Sequence, residues 1–154
     1  MKKVLKRVVL GGIAVFALIQ LVPYGRAHGN PPARQEPPWD SPATRALAER
    51  ACFDCHSNET EWPWYSWVAP MSWLVQHDVD EGRRHLNFSE WDREQKNADE
   101  AAEMIEEGEM PPWYFLPAHP EAKLNADEKA QLTRSFAAMF PEKGRKRRGG
   151  GDED

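Results

Sequence analysis

The first apolar stretch of the chain runs from Val8 to Val22 and is interrupted only by two glycines and one glutamine. Four lysines and arginines precede it within the first seven residues. When Val4 and Leu5 are included, with neighbouring lysines that can extend to the headgroups, the stretch approaches the roughly 20 residues that a membrane span needs. The sequence therefore predicts a signal anchor, a transmembrane helix over residues 1–22; a cleaved signal peptide is the alternative.

The basic residues also predict where the rest of the chain lies. Positive charges before an anchor stay in the cytoplasm, which leaves the remainder on the opposite side of the membrane. No small-residue cleavage site follows the apolar stretch, and Tyr24 suits a membrane–water interface. We therefore expect a single-pass protein of the bacterial inner membrane whose main domain faces the periplasm.

The pattern changes after Val22. Five prolines and two glycines fall between residues 23 and 40, which predicts a semi-extended, proline-rich linker. Apolar positions then recur at helical spacing, which predicts a small all-α domain at 41–141. A short run of basic residues, three glycines and an acidic end predict a disordered charged tail at 142–154.

Caps and apolar faces predict the helices of this domain. Ser41 is a suitable N-cap and Pro42 a suitable first residue for a helix that runs to about His56, with Leu47 and Ala51 on one face. A second helix is predicted roughly from Met71 to Leu86, and the residues spaced for one of its faces are Trp73, Leu74, His77 and Glu81.

Two further helices are predicted downstream. Ser89 is expected to cap a helix that contains Trp91 and continues into Ala98–Glu107, where Gly108 ends it. Its buried stripe is predicted to be Ala101, Met104 and Ile105. The last helix is predicted from the capping pair Asn125 and Glu128 and from an apolar face of Leu132, Phe136, Met139 and Phe140, with Pro141 and Gly144 ending it.

Charge and length restrict the functions to consider. The chain has 25 acidic and 20 basic side chains, for a net charge of −5, and much of the basic charge lies at its two ends. An acidic middle argues against nucleic acid as a partner and is compatible with a cationic docking protein. About 100 residues remain between anchor and tail, so a large apolar cofactor would add greatly to the core.

The only two cysteines are Cys52 and Cys55, and His56 follows the second directly. The order C-x-x-C-H is typical of the attachment site of haem c. The thiols form thioethers with the haem vinyl groups, the spacing presents both sulfurs from one helical turn, and the histidine supplies the proximal iron ligand. Because such haem is attached outside the bacterial cytoplasm, the export signal supports the same prediction.

Other uses of two cysteines are less consistent with the sequence. A thioredoxin-like dithiol requires a βαβ context, and no strand-like alternation surrounds residues 40–60. A zinc site would need two more ligands, which only scattered histidines could supply. A structural disulfide is the simplest alternative.

Four of the seven tryptophans fall between residues 62 and 73. Aromatic side chains bury large areas and carry polar N–H or O–H groups, both of which suit a flat apolar macrocycle with propionates. We therefore predict that Trp62, Trp64 and Tyr65 contact the haem. An ordinary aromatic core is the alternative.

Met110 stands just before Pro111 and Pro112, on a loop that cannot rejoin a helix. A thioether sulfur is a good sixth ligand of haem iron, so we predict Met110 for that position, opposite His56. The alternatives are His77, His85, His119, or no sixth protein ligand, and the last would open the iron to gases or peroxide.

Several motifs of the chain resemble those of the bacterial haem-binding domain family. They are Cys-Phe-Asp-Cys-His-Ser-Asn-Glu-Thr-Glu-Trp-Pro-Trp-Tyr-Ser at 52–66, Ser-Trp at 72–73, Glu-Gly-Arg at 81–83, Leu-Asn-Phe-Ser at 86–89, Glu-Met-Pro-Pro at 109–112 and His-Pro at 119–120. The element order is similar to that of small monohaem cytochromes c, and the resemblance covers about residues 20–141. It implies haem binding and redox work, since the family is found linked to cytochrome c and di-haem peroxidase modules.

Taken together, these features predict a membrane-anchored, periplasmic c-type protein with one covalent haem per chain. One-electron transfer with unidentified redox partner proteins is the expected role, an electron carrier rather than an enzyme. A haem-based gas sensor or peroxidase-like protein with an open distal site is the alternative. A third hypothesis is a module without haem whose cysteines form a disulfide.

Overall fold

The structure is a computed structural model that describes residues 1–141. Within these residues the chain forms five α-helices, and extended pairing is limited to one isolated bridge between Gln35 and Glu90. The predicted all-α architecture is confirmed. The helices are α1 (Lys2–Ile19), α2 (Pro42–His56), α3 (Met71–His85), α4 (Ala101–Glu107) and α5 (Ala126–Met139), with 3₁₀ helices at Trp64–Trp67, Ala98–Glu100 and Pro120–Ala122. The predicted tail at 142–154, with Gly144, lies outside the described residues.

Helix α1 has no buried residue. Across residues 1–141, no helix combines the length and apolar character needed to cross a bilayer. The predicted membrane-spanning helix at 1–22 is therefore not supported. The basic first turns shorten its apolar part to residues 8–19, about 18 Å of helix against a hydrocarbon core of about 30 Å.

Three predicted helix ends are confirmed. The Thr44 amide donates to Ser41 Oγ at 3.1 Å, which makes Ser41 the N-cap of α2. Asn125 and Glu128 form a reciprocal capping box at the start of α5. Gly108 ends α4 in the left-handed region, with φ of 79°, where a side chain would be strained.

The predicted helix start at Ser89 is wrong. Ser89 is buried, its amide donates to Asn87 Oδ1 at 2.9 Å, and its Oγ accepts from the Asn58 amide at 2.9 Å. Its hydroxyl binds the distant Asn58 amide instead of a helix end, and Trp91 lies in a turn. Helical structure begins only at the 3₁₀ helix Ala98–Glu100.

Helix α3 packs through small side chains rather than through the large ones of its predicted face. Its buried residues are Ser72, Val79 and Gly82, whereas Leu74 and His77 are exposed. A Cβ on Gly82 would lie 2.3 Å from the carbonyl oxygen of Cys55. The absence of a side chain at this position therefore lets α3 approach the last turn of α2.

The extended segment 23–40 lies along the helical domain. Asn30 donates to the Thr60 carbonyl at 2.9 Å, and the Arg34 amide donates to the Ser89 carbonyl at 2.8 Å. Trp39 packs against the hydrophobic core. The buried members of that core are Ala48, Phe53, Leu86, Phe88, Ile105, Leu132, Phe136 and Phe140.

Candidate functional site

A cavity of about 430 Å³ opens between the end of α2, the second half of α3, helix α4 and the loop after it. Its volume is within the range of about 300–1,000 Å³ that is usual for cofactor and ligand sites. Cys52, Cys55, His56 and Met110 all line it. Side chains from distant parts of the sequence therefore meet at one site.

Cys52 and Cys55 lie in the last turn of α2 as partly buried, free thiols. Burial raises the pKa of each thiol to about 12, so both are protonated at neutral pH. A redox-active dithiol needs a stabilised thiolate, which this buried environment does not favour. Within residues 1–141 no group of three or more His, Cys, Asp or Glu side chains is arranged to hold a metal ion.

His56 ends α2 and is held by the segment that follows α3. Its Nδ1 is 3.0 Å from the Leu86 carbonyl oxygen, and its own carbonyl accepts from the Phe88 amide at 2.8 Å. We assign the ring proton to Nδ1, because a carbonyl can only accept, so Nε2 carries the lone pair. Burial lowers the pKa of His56, which favours the neutral ring that binds a metal.

Met110 reaches the cavity because the chain folds back after α4. The amides of Glu109 and Met110 both donate to the Met104 carbonyl, at 3.0 and 3.1 Å. Met104 also lines the cavity. Sequence reasoning assigned Met104 only to a buried stripe; its signal was a methionine on the apolar face of a helix next to the Met110 loop.

The three histidines considered as sixth ligands lie in different surroundings. His85 lines the cavity, and its Nδ1 is hydrogen-bonded to Asn97. His77 is exposed on α3 and His119 stacks on Phe115 with ring centroids 3.9 Å apart. Of the described side chains that line the cavity, Met104, Met110 and His85 therefore carry the donor atoms that could serve as an iron ligand in addition to His56.

The predicted aromatic contacts lie outside the cavity wall formed by residues 1–141. Trp62 stacks on the His28 ring, and Trp64 is largely exposed. Tyr65 Oη is 2.7 Å from His119 Nε2. The contact of these three side chains with haem stays a prediction.

Acidic side chains also line the cavity, among them Asp54 and Asp78. Asp54, between the two cysteines in sequence, accepts from the Glu61 amide at 3.0 Å, and Asp78 lines the cavity together with Tyr114. Burial raises the pKa of both carboxyl groups. Sequence reasoning quoted Asp54 only as part of the Cys-x-x-Cys-His motif and assigned a role to neither aspartate, since an aspartate on a helix carries no distinguishing pattern.

A comparison with protein families matches residues 14–138 to the haem-binding domain. The chain belongs to the haem-binding domain family. The matched range includes Cys52, Cys55, His56 and Met110, which were predicted as site residues and line the cavity. Searches of the curated proteins and of the solved structures gave no match.

The site of this haem-binding domain fits a haem. Two thiols one helical turn apart, a neutral imidazole and two thioether sulfurs are the donors that haem proteins use. Leu86, Phe88 and Ile105 supply apolar walls, and each is almost fully buried. The cavity therefore offers both the ligands and the low-polarity surroundings that the group requires.

Proposed function

We propose that this haem-binding domain carries one covalently attached haem c and transfers single electrons outside the bacterial cytoplasm. The observation that carries the proposal is the meeting of Cys52, Cys55, His56 and Met110 at one cavity. Haem iron in such a site supplies a one-electron couple, and methionine–histidine ligation raises its reduction potential.

The chain's own residues have separate roles in this proposal. Cys52 and Cys55 would hold the haem as thioethers, each adding its S–H across the C=C bond of one vinyl group, and His56 Nε2 would bind the iron. The Leu86 carbonyl fixes the orientation of the His56 ring and increases the basicity of Nε2 through the hydrogen bond from Nδ1. Met110 is the proposed sixth ligand, and Phe88 and Ile105 exclude water from the iron's surroundings.

We further propose that the protein is exported and associates with the inner membrane through α1, with redox proteins as partners. The support is chemical: α1 exposes its apolar side chains and begins with lysines and an arginine, a combination that suits an anionic lipid surface. The acidic remainder of the chain suits a cationic redox partner.

Absorption spectroscopy tests the haem assignment. The full chain would be produced in a host that attaches haem c in the periplasm, and its spectrum recorded oxidised, reduced and with CO. We expect a mass increase of one haem, with a reduced low-spin spectrum that CO does not change. An absence of covalent haem would refute the proposal, and a CO-sensitive spectrum would favour the sensor or peroxidase alternative.

Two methionine variants then test the sixth ligand. Met110→Ala should open the iron to CO, give a high-spin spectrum and lower the reduction potential, because the strong-field thioether is lost. Met104→Ala removes a methionine from the same cavity and serves as the matched control, with spectrum and potential retained. If only Met104→Ala changes the spectrum, Met104 is the ligand instead.

A further inference from the structure

The junction between α1 and the domain is fixed by hydrogen bonds. Gln20, the one polar interruption late in the apolar stretch, donates from Nε2 to the Ala69 carbonyl at 2.9 Å and accepts from the Ala69 amide at 3.0 Å. Arg26 also donates to Gln20 Oε1, at 3.2 Å. A side-chain amide that pairs with both groups of a buried residue fixes the end of α1 at that point of the domain.

The chain after Gln20 strengthens this junction. Gly25 has φ of 79° and lies so close to the start of α3 that a Cβ would be 2.1 Å from the Ser72 carbonyl oxygen. His28 packs edge-on against Trp67, with ring centroids 4.2 Å apart. The junction is therefore a packed contact and not a free hinge.

Exposed apolar side chains surround the junction. Ala69 itself is fully buried, but Trp67 is 57% exposed, Val68 36% and Met71 42%. We call Trp67, Val68 and Met71 the root patch, because they flank the residue to which the root of α1 is bound. Tyr24, on the segment from α1, is also 46% exposed.

Lipid is the occupant that the charges on α1 and the position of the root patch beside its end favour. The root patch flanks Ala69, to which the end of α1 is bound, and α1 has no buried residue and carries Lys2, Lys3, Lys6 and Arg7 in its first turns. Tryptophan and tyrosine at the base of an apolar helix are typical of the membrane–water interface. A protein groove would have to cover both the helix and the patch, whereas a bilayer surface covers both together.

We propose that the root patch docks on the lipid surface into which α1 inserts its apolar side chains, and that the Gln20–Ala69 pair fixes the orientation of the domain on it. The proposal rests on the membrane association proposed above. The haem cavity would then face a defined direction, because α3 carries both Met71 at its start and Gly82 beside Cys55.

Photo-crosslinking tests this docking. Benzoylphenylalanine replaces Trp67 in the full-length haem protein, which is then bound to vesicles of phosphatidylethanolamine and phosphatidylglycerol. In the control, the same group replaces Glu107. This residue is exposed and lies on α4, which packs on α5. We expect lipid adducts from position 67 and none from position 107, with an unchanged haem spectrum in both variants.

A second variant tests the role of Gln20. Gln20→Ala combined with the crosslinker at position 67 should still float with the vesicles, because α1 is intact. Its lipid adducts should fall about fivefold, as expected when the net stabilisation of one to two hydrogen bonds is lost. Undiminished adducts would overturn the role of Gln20 in orienting the domain.

The outcomes separate the two proposals. Flotation without lipid adducts at position 67 would overturn the docking surface while membrane association stands. Adducts from position 67 to a second copy or another protein would assign the root patch to protein binding and overturn the lipid proposal. Failure of the wild-type protein to float would refute membrane association itself, and the docking proposal with it.

Discussion

Glu36 shows how one side chain joins the extended segment to a helix. Its carboxylate accepts from Arg45 Nε at 2.8 Å and Arg45 Nη2 at 2.7 Å, in a bidentate arrangement, and from Trp39 Nε1 at 2.6 Å. The hydrogen bond from Arg45 is the main cause of a lowered pKa of Glu36. Trp39 packs on the core, so this carboxylate helps to hold a core residue in position.

Glu36→Gln should lower the free energy of unfolding at pH 7 by about 1 kcal/mol. This is the usual contribution of a charged hydrogen bond, reduced because the Glu36–Arg45 pair is partly exposed to solvent. Because the folded-state pKa lies below the ordinary value of 4.5, this stabilisation is present above pH 4.5 and is lost as pH falls through the folded-state pKa. Denaturant unfolding of both proteins across this pH range measures the difference.

Glu49→Gln is the matched control for Glu36. Glu49 also pairs with Arg45, through one contact of 2.7 Å, but its side chain is 54% exposed. We expect a change below about 0.5 kcal/mol at pH 7, typical of a surface pair within one helix. Equal losses in the two variants, or a Glu36→Gln loss that persists at acid pH, would contradict the assignment.

At the scale of elements, the site depends on how closely α3 approaches the last turn of α2. Gly82 faces Cys55, and the same helix is followed by Leu86, whose carbonyl orients His56. One helix contact therefore positions Cys55, a proposed thioether residue, together with His56, the proposed iron ligand. A larger side chain at residue 82 would displace both.

Gly82→Ala should destabilise the haem protein by about 1–3 kcal/mol, the usual cost of overpacking, because backbone atoms of Cys55 cannot move aside. We also expect a lower yield of covalent haem. Thermal unfolding followed by haem absorbance, with the haem content per chain, measures both effects.

Gly12→Ala provides the comparison within a helix. A Cβ on Gly12 has no neighbour within 4 Å, so the substitution should cause no loss and should improve helix propensity by up to about 1 kcal/mol locally. If Gly82→Ala is as well tolerated as Gly12→Ala, the close approach of α3 to Cys55 does not limit stability.

At the scale of the whole molecule, Arg83 links three segments that are distant in sequence. Its guanidinium donates to the Ser57 carbonyl at 2.6 Å, the Gly29 carbonyl at 2.8 Å, and both Asn30 Oδ1 and Thr60 Oγ1 at 2.9 Å. These contacts hold the extended segment and the chain just after His56 against α3. Arg83 is therefore a tertiary crosslink close to the haem site.

Arg83→Lys should lower the free energy of unfolding by about 1.5–3 kcal/mol, because an ammonium group cannot reproduce the planar set of donors. Denaturant unfolding provides the measurement. The adjacent Arg84→Lys is the control: Arg84 is half exposed and pairs with Glu81, so its loss should stay below about 0.5 kcal/mol. Similar values for the two variants would remove Arg83 from this role.

The sequence by itself determined the features whose chemistry is local. Cys52, Cys55 and His56 lie within one helical turn, so their spacing alone indicated covalent haem, and the family comparison supports haem binding. The caps at Ser41 and Asn125 were predicted correctly because each satisfies amides only three residues away.

The tertiary structure decided every feature that depends on residues far apart in the chain. Ser89, which was predicted to cap a helix, instead accepts a hydrogen bond from the amide of Asn58, 31 positions earlier. Among the described residues, Met104 and Met110 both line the cavity, whereas Trp62, Trp64 and Tyr65 do not. The spacing of these residues in the sequence indicates neither result. Gln20 appeared only as an interruption of an apolar stretch, yet it pairs with Ala69. Periodicity and capping report contacts within a few residues, whereas these partners meet only when packing brings separate segments together.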